Sequence, residues 1–106
     1  MTMSEEVFAG KLRQNNDGSM SLSGAIDHHT VPELFKQSEK FFNQNNQKEI
    51  VIDLKDVSRS DSSGVALLIE WMRQAGNRQK SVRFLNIPKQ MLEIAQVSGV
   101  DKILAI

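Results

Sequence analysis

The 106-residue chain contains no cysteine. This absence excludes thiol nucleophiles, cysteine-ligated zinc, iron–sulfur clusters and disulfide bonds. A chain of this length buries roughly two thirds of the surface that its unfolded form would expose, so it can fold without covalent cross-links. We therefore expect residues 1–106 to form one domain, and we expect it in a reducing compartment, the cytoplasm.

Long hydrophobic runs are also missing. The longest unbroken apolar run, Val65–Ile69, spans five residues, whereas a membrane-spanning helix needs about 20. The first residues include Glu5 and Glu6 and lack the basic start and apolar segment of a secretory signal. We therefore expect no signal peptide, and we expect any role at a membrane to go through a partner.

Neither sign of charge is in excess. Thirteen Lys and Arg residues balance thirteen Asp and Glu residues, whereas proteins that bind nucleic acid usually concentrate basic residues on one surface. Nucleic acid is therefore not an expected partner.

Residues suited to catalysis or metal binding are sparse. The two histidines, His28 and His29, are adjacent, and neighbouring side chains diverge on a helix or strand, so they are more typical of a capped turn than of a metal site. The chain has no Gly-x-Ser-x-Gly nucleophile elbow and no Gly-x-x-x-x-Gly-Lys-Ser/Thr phosphate-binding loop. These absences predict a protein that is not an enzyme and that holds no cofactor or metal.

The apolar pattern predicts alternating strands and helices. In chain order the segments are a hairpin made of Val7–Leu12 and the strand around Met20 and Leu22, a helix over 31–44, a strand at Ile50–Leu54, a helix from Ser62 to about Ala75, a strand at Ser81–Leu85, a helix that starts near Pro88 and stops at Gly99, and a short final strand at Ile103–Ile106. Ile50–Leu54 has one polar member, which indicates a central strand covered on both faces. The order predicts an α/β fold in which a mixed sheet with an N-terminal hairpin packs against three to four helices.

A loop that contains Asp56, Ser58 and Ser60 is expected to connect this central strand to the second helix. The segment in which this loop passes into the helix, Asp61–Gly64, combines one carboxylate, two hydroxyls and a glycine. Because a helix N-terminus exposes unpaired N–H donors and a partial positive charge, Asp61 or Ser62 can cap the helix. Gly64 would leave space for another surface to approach the backbone. Loops at the carboxyl ends of parallel strands often carry the functional site, although this composition is equally typical of an ordinary turn.

Two interpretations are open for the shoulder of the second helix. At about 100° per residue, Leu67 and Trp71 lie one turn apart on the same side, near Ser63 and Glu70. Trp71 either packs against its own domain, as large aromatic side chains commonly do, or forms an exposed anchor for a partner together with Leu67, since tryptophan is enriched at binding hot spots.

Taken together, the hairpin, the first helix, the strand Ile50–Leu54 and the turn Asp61–Gly64 resemble the STAS domain, the fold of anti-sigma factor antagonists and of regulatory modules on transporters. The resemblance extends over residues 7–104. Gly24–Thr30 is similar to the segment that leads into the family's first helix, and Asp61–Gly64 matches the family's characteristic turn.

Within this family, three stretches look most like the MlaB branch, whose members are cytoplasmic STAS subunits of the Mla ABC transporter for phospholipids. These stretches are Ser58–Leu68, Phe84–Pro88 and Ala95–Asp101. The resemblance implies a protein without catalysis of its own, which binds the transporter's ATPase subunit and supports its assembly or activity. We predict that the partner-binding residues are Asp61, Ser62, Ser63, Gly64, Leu67 and Trp71.

An alternative function comes from the other branch of the same family. The resemblance places Ser62 at the position of the phosphorylated serine of the anti-sigma factor antagonists, and Asp27–Thr30 also favours that reading. A phosphate there would add a charge of about −1.5 to −2 at pH 7 beside the helix N-terminus, where Asp61 would repel it. The alternative is therefore a phosphorylation-controlled antagonist whose partner is an anti-sigma factor kinase.

Overall fold

The computed structural model describes residues 10–44 and 46–104. Its elements in chain order are β1 (Lys11–Gln14), β2 (Met20–Ile26), α1 (Val31–Gln44), β3 (Glu49–Ser60), α2 (Ser62–Asn77), β4 (Ser81–Leu85), α3 (Lys89–Ser98) and α4 (Asp101–Leu104). The strands form one sheet in the order β1-β2-β3-β4. β1 is antiparallel to β2, whereas β3 runs parallel to both of its neighbours. The predicted α/β fold with a mixed sheet is therefore confirmed.

The N-terminal hairpin is confirmed, with β1 at Lys11–Gln14 and residues 7–9 of the predicted strand outside the described residues. Its turn depends on Asp17, whose Oδ1 accepts hydrogen bonds from the Ser19 N–H at 2.9 Å and from the Ser19 hydroxyl at 2.6 Å. Gly18 has a φ of 89°, a conformation that residues with a Cβ rarely adopt. The turn chemistry therefore fixes the point at which the chain reverses.

Strand β3 is longer than predicted. It extends from Glu49 to Ser60, so the predicted loop containing Asp56, Ser58 and Ser60 is wrong. The polar second half of β3 is a strand because β2 pairs with it, from Ser23 opposite Asp56 to Ile26 opposite Ser60. Backbone hydrogen bonding to a neighbouring strand has thus overridden a local composition typical of a loop.

The predicted burial of β3 on both faces is also wrong. Ile50, Ile52 and Leu54 are fully buried beneath the helices. Because successive side chains point to opposite faces, Val51 and Asp53 lie on the other face, where they line an open cavity of about 760 Å³ with mostly polar and charged walls. β3 is therefore an inner strand of a sheet that helices cover on one face.

Helix α1 matches its predicted bounds, and Leu34, Ser38, Phe41 and Phe42 form its buried stripe. At the other end of the chain, α3 stops at Gly99 as predicted, because Gly99 adopts a left-handed φ of 76°. The predicted final strand is wrong in its described part: the chain forms α4, in which the Leu104 N–H bonds to the Val100 carbonyl at 3.1 Å. Residues 105–106 lie outside the described residues.

The buried apolar side chains form one cluster between the sheet and the helices. Helix α2 crosses the middle of this layer and contacts α1, α3, α4, β3 and β4. None of the helices in the described part of the chain combines the length and hydrophobicity that a transmembrane span requires.

Candidate protein-docking site

Asp61 caps helix α2. Its Oδ1 accepts a hydrogen bond from the Ser63 N–H at 2.8 Å, and its carbonyl accepts one from the Gly64 N–H at 3.0 Å. The Asp61 N–H donates to the carbonyl of Ile26, the last residue of β2, at 3.3 Å. Of the two residues that the sequence offers as a cap, Asp61 is the one that is used, and Ser62 begins the helix.

Ser62 presents a free hydroxyl at the start of α2. The residue is exposed, and its side chain makes no hydrogen bond within the described residues. Ser63 is half-buried beside it, and Ala66 is exposed one turn further along α2. A helix N-terminus favours an acceptor or an anion placed beside it. The outward part of the turn therefore presents a hydroxyl that can hydrogen-bond to a polar group of another protein.

Gly64 does not leave space for a partner, contrary to the expectation from sequence. It is buried, and a Cβ on it would overlap the Oγ of Ser60 and lie 3.2 Å from Cγ2 of Ile26 and 3.3 Å from Cε of Met91. The protein's own strands and α3 already fill the volume in front of this backbone. Gly64 therefore allows β3, α2 and α3 to meet closely, and it is not itself a contact surface.

The predicted exposed anchor of Leu67 and Trp71 is wrong. Leu67 is 1% exposed and Trp71 is 0% exposed. Both side chains are therefore packed inside the domain, so the reading of Trp71 as part of its own domain is correct. Glu70, one position before Trp71, is partly exposed, and its carboxylate accepts a hydrogen bond from the Arg73 guanidinium at 2.7 Å. Trp71 can influence binding only by fixing the position of α2.

An apolar groove between α1 and α2 was missed from the sequence. It has a volume of about 230 Å³ and is lined by Val31, Phe35, Ala66, Leu67 and Glu70. The i, i+4 spacing of Val31 and Phe35 on α1 is a signal for this stripe. The groove itself depends on how α1 and α2 pack, which the sequence alone does not specify. We use "docking surface" for Ser62, Ser63, Ala66, Val31 and Phe35.

The loop between β2 and α1 lies at the same edge of the sheet. Asp27 organises it: its Oδ1 accepts hydrogen bonds from the His29 N–H at 2.9 Å and the Thr30 N–H at 3.1 Å. The His29 N–H is the main reason that the pKa of Asp27 lies below its ordinary value, and the Arg59 guanidinium, 3.7 Å from Oδ2, contributes as well. The capped turn expected around His28 is therefore confirmed.

The histidines of this loop are exposed, and their rings lie 4.0 Å apart. Across residues 10–44 and 46–104, no cluster of three or more His, Asp or Glu side chains could hold a metal ion. The arrangement at this edge of the sheet is thus a set of hydroxyls, backbone donors and a groove, which together suit contact with another protein.

Comparisons with known proteins identify the family of the chain. The family model described as "Mlab, STAS domain" matches residues 10–105. The intermembrane phospholipid transport system binding protein MlaB of Haemophilus influenzae is 28% identical over 93 residues, which cover 85% of this chain and 89% of that protein.

Among the solved structures that share the fold, two are compared in detail. A chain of the Acinetobacter MlaFEDB complex in an ATP-bound conformation superposes with a TM-score of 0.78 at 22% identity, covering 91% of this chain and 98% of that one. The unphosphorylated anti-sigma factor antagonist SpoIIAA superposes with a TM-score of 0.68 at 22% identity, covering 92% and 98%. From its sequence motifs, its fold and the family match over residues 10–105, the chain belongs to the STAS domain family, in the group described as Mlab.

Proposed function

We propose that the protein is a non-enzymatic STAS subunit that binds and regulates the ATPase of an ABC transporter for phospholipids, and that the docking surface makes the contact. The observation that carries the proposal is the exposed, unbonded hydroxyl of Ser62 beside an apolar groove. A protein interface typically combines an apolar centre with a polar rim. The groove supplies the first of these, and Ser62 and Ser63 supply the second.

The rigid packing of the turn Asp61–Gly64 and of the next turns of α2 supports binding without rearrangement. Asp61 caps α2, Gly64 packs against Ser60 and Met91, and Trp71 holds the next turns of the helix in the core. A surface that is already ordered loses less conformational entropy when it binds. The inward residues therefore contribute to affinity by keeping Ser62 and Ala66 in place.

The relatives support the choice of partner. One is named for an intermembrane phospholipid transport system, and another is a chain of the MlaFEDB complex in an ATP-bound conformation. By this proposal the protein acts on the cytoplasmic side of the inner membrane and reaches the membrane only through the transporter. It performs no chemistry of its own.

The test is direct binding to the ATPase subunit of the phospholipid ABC transporter of the same organism. Ser62→Arg places a long charged side chain on the docking surface, whereas Ser98→Arg makes the same change at an exposed position at the far end of α3. We expect Ser62→Arg to weaken binding at least tenfold and to remove any effect on ATP hydrolysis, while Ser98→Arg behaves as wild type. Equal binding by both variants would contradict the proposal.

A second candidate function rests on the position of Ser62. The residue is exposed at the first turn of α2, where a kinase can reach it, and SpoIIAA, which shares this fold, is an anti-sigma factor antagonist. The test is incubation with ATP and an anti-sigma factor kinase from the same organism. A mass increase of one phosphate on Ser62, with loss of kinase binding, would support this function; an unmodified chain that still binds the transporter ATPase would exclude it.

A further inference from the structure

The end of β3 extends past its neighbour β4. Pairing between β3 and β4 stops where Asp53 lies opposite Leu85, whereas pairing between β3 and β2 continues until Ile26 lies opposite Ser60. Over the described residues, the β4 side of this last part of β3 therefore has no strand partner. Backbone N–H groups on that side need another acceptor if they are buried.

The N–H of Ser60 points to this unpaired side. Successive N–H groups of an extended chain point to opposite edges, and the Asp61 N–H donates to the Ile26 carbonyl of β2. The Ser60 N–H therefore points away from β2. Its acceptor is the side-chain Oε1 of Gln90, in the first turn of α3, at 3.0 Å.

The first turn of α3 touches the docking turn at two points. Gln90 bonds the backbone of Ser60, just before Asp61, and the Cε of Met91 packs against Gly64, just after Ser63. Ser60 is 4% exposed, and its hydroxyl donates to the Asp61 carbonyl at 3.0 Å. Contacts from α3 thus bracket the residues that present Ser62.

We propose that Gln90 is a positioning residue of the docking surface: its side-chain oxygen holds the Ser60 N–H and thereby sets the geometry in which Asp61 and Ser62 meet the partner. The inference rests on the proposed function, because it concerns binding through that surface. The acceptor replaces a missing strand, so its loss loosens the turn and leaves the core side chains unchanged.

The experiment compares three variants for binding to the transporter ATPase. Gln90→Met keeps the length of the side chain and removes the oxygen, Gln90→Glu keeps an oxygen acceptor, and Gln96→Met makes the same change at an exposed position further along α3. A single hydrogen bond of this kind corresponds to about a three- to tenfold change in an equilibrium constant. We expect Gln90→Met to weaken binding by about that factor, while Gln90→Glu and Gln96→Met bind as wild type.

Hydrogen exchange of the Ser60 N–H gives a readout that a general loss of stability would not reproduce. It should become faster in Gln90→Met alone, with the exchange of core amides unchanged. Unchanged Ser60 exchange, or wild-type binding by Gln90→Met, would overturn the role of Gln90 while leaving the proposed function intact. Equal weakening by Gln90→Glu would also overturn it, since an oxygen acceptor at position 90 would then not be enough to maintain binding. If the wild-type protein does not bind the ATPase, the proposed function is contradicted. The inference about Gln90 then fails as well, because it rests on that function.

Discussion

The outward and inward sides of α2 have different roles, and the short turn Asp61–Gly64 contributes a residue to each. On the outward side, Ser62 is exposed and Ala66 lies beside a groove. On the inward side, Gly64 packs against Ser60 and Met91, and Trp71 is completely buried. The difference shows that the motif is partly a packing requirement and partly a binding surface. Substitutions on the two sides should therefore separate stability from binding.

The largest expected effect on the free energy of unfolding comes from a substitution on the inward side. Trp71→Ala should lower the free energy of unfolding by about 3–5 kcal/mol, because it empties a fully buried site. Val97→Ala removes apolar atoms from a residue that is 89% exposed, and it should change stability by less than about 0.5 kcal/mol. Urea unfolding of both variants measures this contrast. Similar small losses for both would mean that Trp71 does not hold α2 in the core.

The two glycines of α2 provide a sharper comparison, because the same substitution should have opposite signs. Gly64→Ala forces a Cβ onto Ser60, Ile26 and Met91, and it should destabilise the protein by about 1–3 kcal/mol. Gly76 has no atom within 4 Å of its would-be Cβ, so Gly76→Ala should stabilise the helix by about 0.5–1 kcal/mol. Thermal unfolding of both variants measures the sign of each stability change. Stabilisation by both substitutions would contradict the packing role of Gly64.

Asp61 and Ser62, which are neighbours in the turn, should also differ in how much they contribute to stability. Asp61→Ala removes the cap of α2 and should cost about 0.5–2 kcal/mol of stability. Ser62→Ala removes an exposed hydroxyl that makes no hydrogen bond within the described residues, so it should cost less than about 0.5 kcal/mol. Chemical denaturation gives both values. A larger loss for Ser62→Ala than for Asp61→Ala would show that Ser62 is structural.

The smallest expected effect on stability comes from a residue outside α2, Asp53, on the open face of the sheet. The pKa of Asp53 is below its ordinary 3.8, first because the Asn86 side chain donates to its Oδ1 at 3.0 Å and also because the Lys55 N–H does so at 2.9 Å. A lowered pKa in the folded state stabilises the protein above the ordinary value, and this contribution is lost as the pH falls through the lowered pKa.

Asp53→Asn should therefore reduce the loss of stability on acidification, measured by urea unfolding from about pH 5 to about pH 2. The same acid sensitivity in the variant and the wild type would exclude Asp53 as a contributor. This effect concerns the face of the sheet away from the docking surface, so it should leave partner binding unchanged.

Local patterns predicted the elements whose formation depends on their own residues. α1 matched at 31–44 because its apolar stripe is regular, and β4 matched at Ser81–Leu85. The second half of β3 was missed because its polar residues form a strand only through pairing with β2. That partner is distant in sequence, so no local pattern indicates it.

In the candidate site, too, some features follow from local residue types and others depend on distant parts of the chain. The turn Asp61–Gly64 could be located from its composition, and the capping chemistry of Asp61 followed from its residue type. The burial of Trp71 and the role of Gly64 depend on elements that pack against α2 from other parts of the chain. The apolar groove with Phe35 could not be predicted for the same reason. Residue types thus indicated where the site lies, and tertiary packing decided which of them face a partner.

The central claim is that the outward side of the turn meets the partner, and the absence of cysteine makes it directly measurable. Ser62→Cys and Val97→Cys each introduce one thiol, at two exposed positions on different helices. The measurement is the rate of maleimide labelling with and without the transporter ATPase. Strong protection at position 62 with unchanged labelling at position 97 is the predicted result; protection at position 97 with free labelling at position 62 would contradict the account.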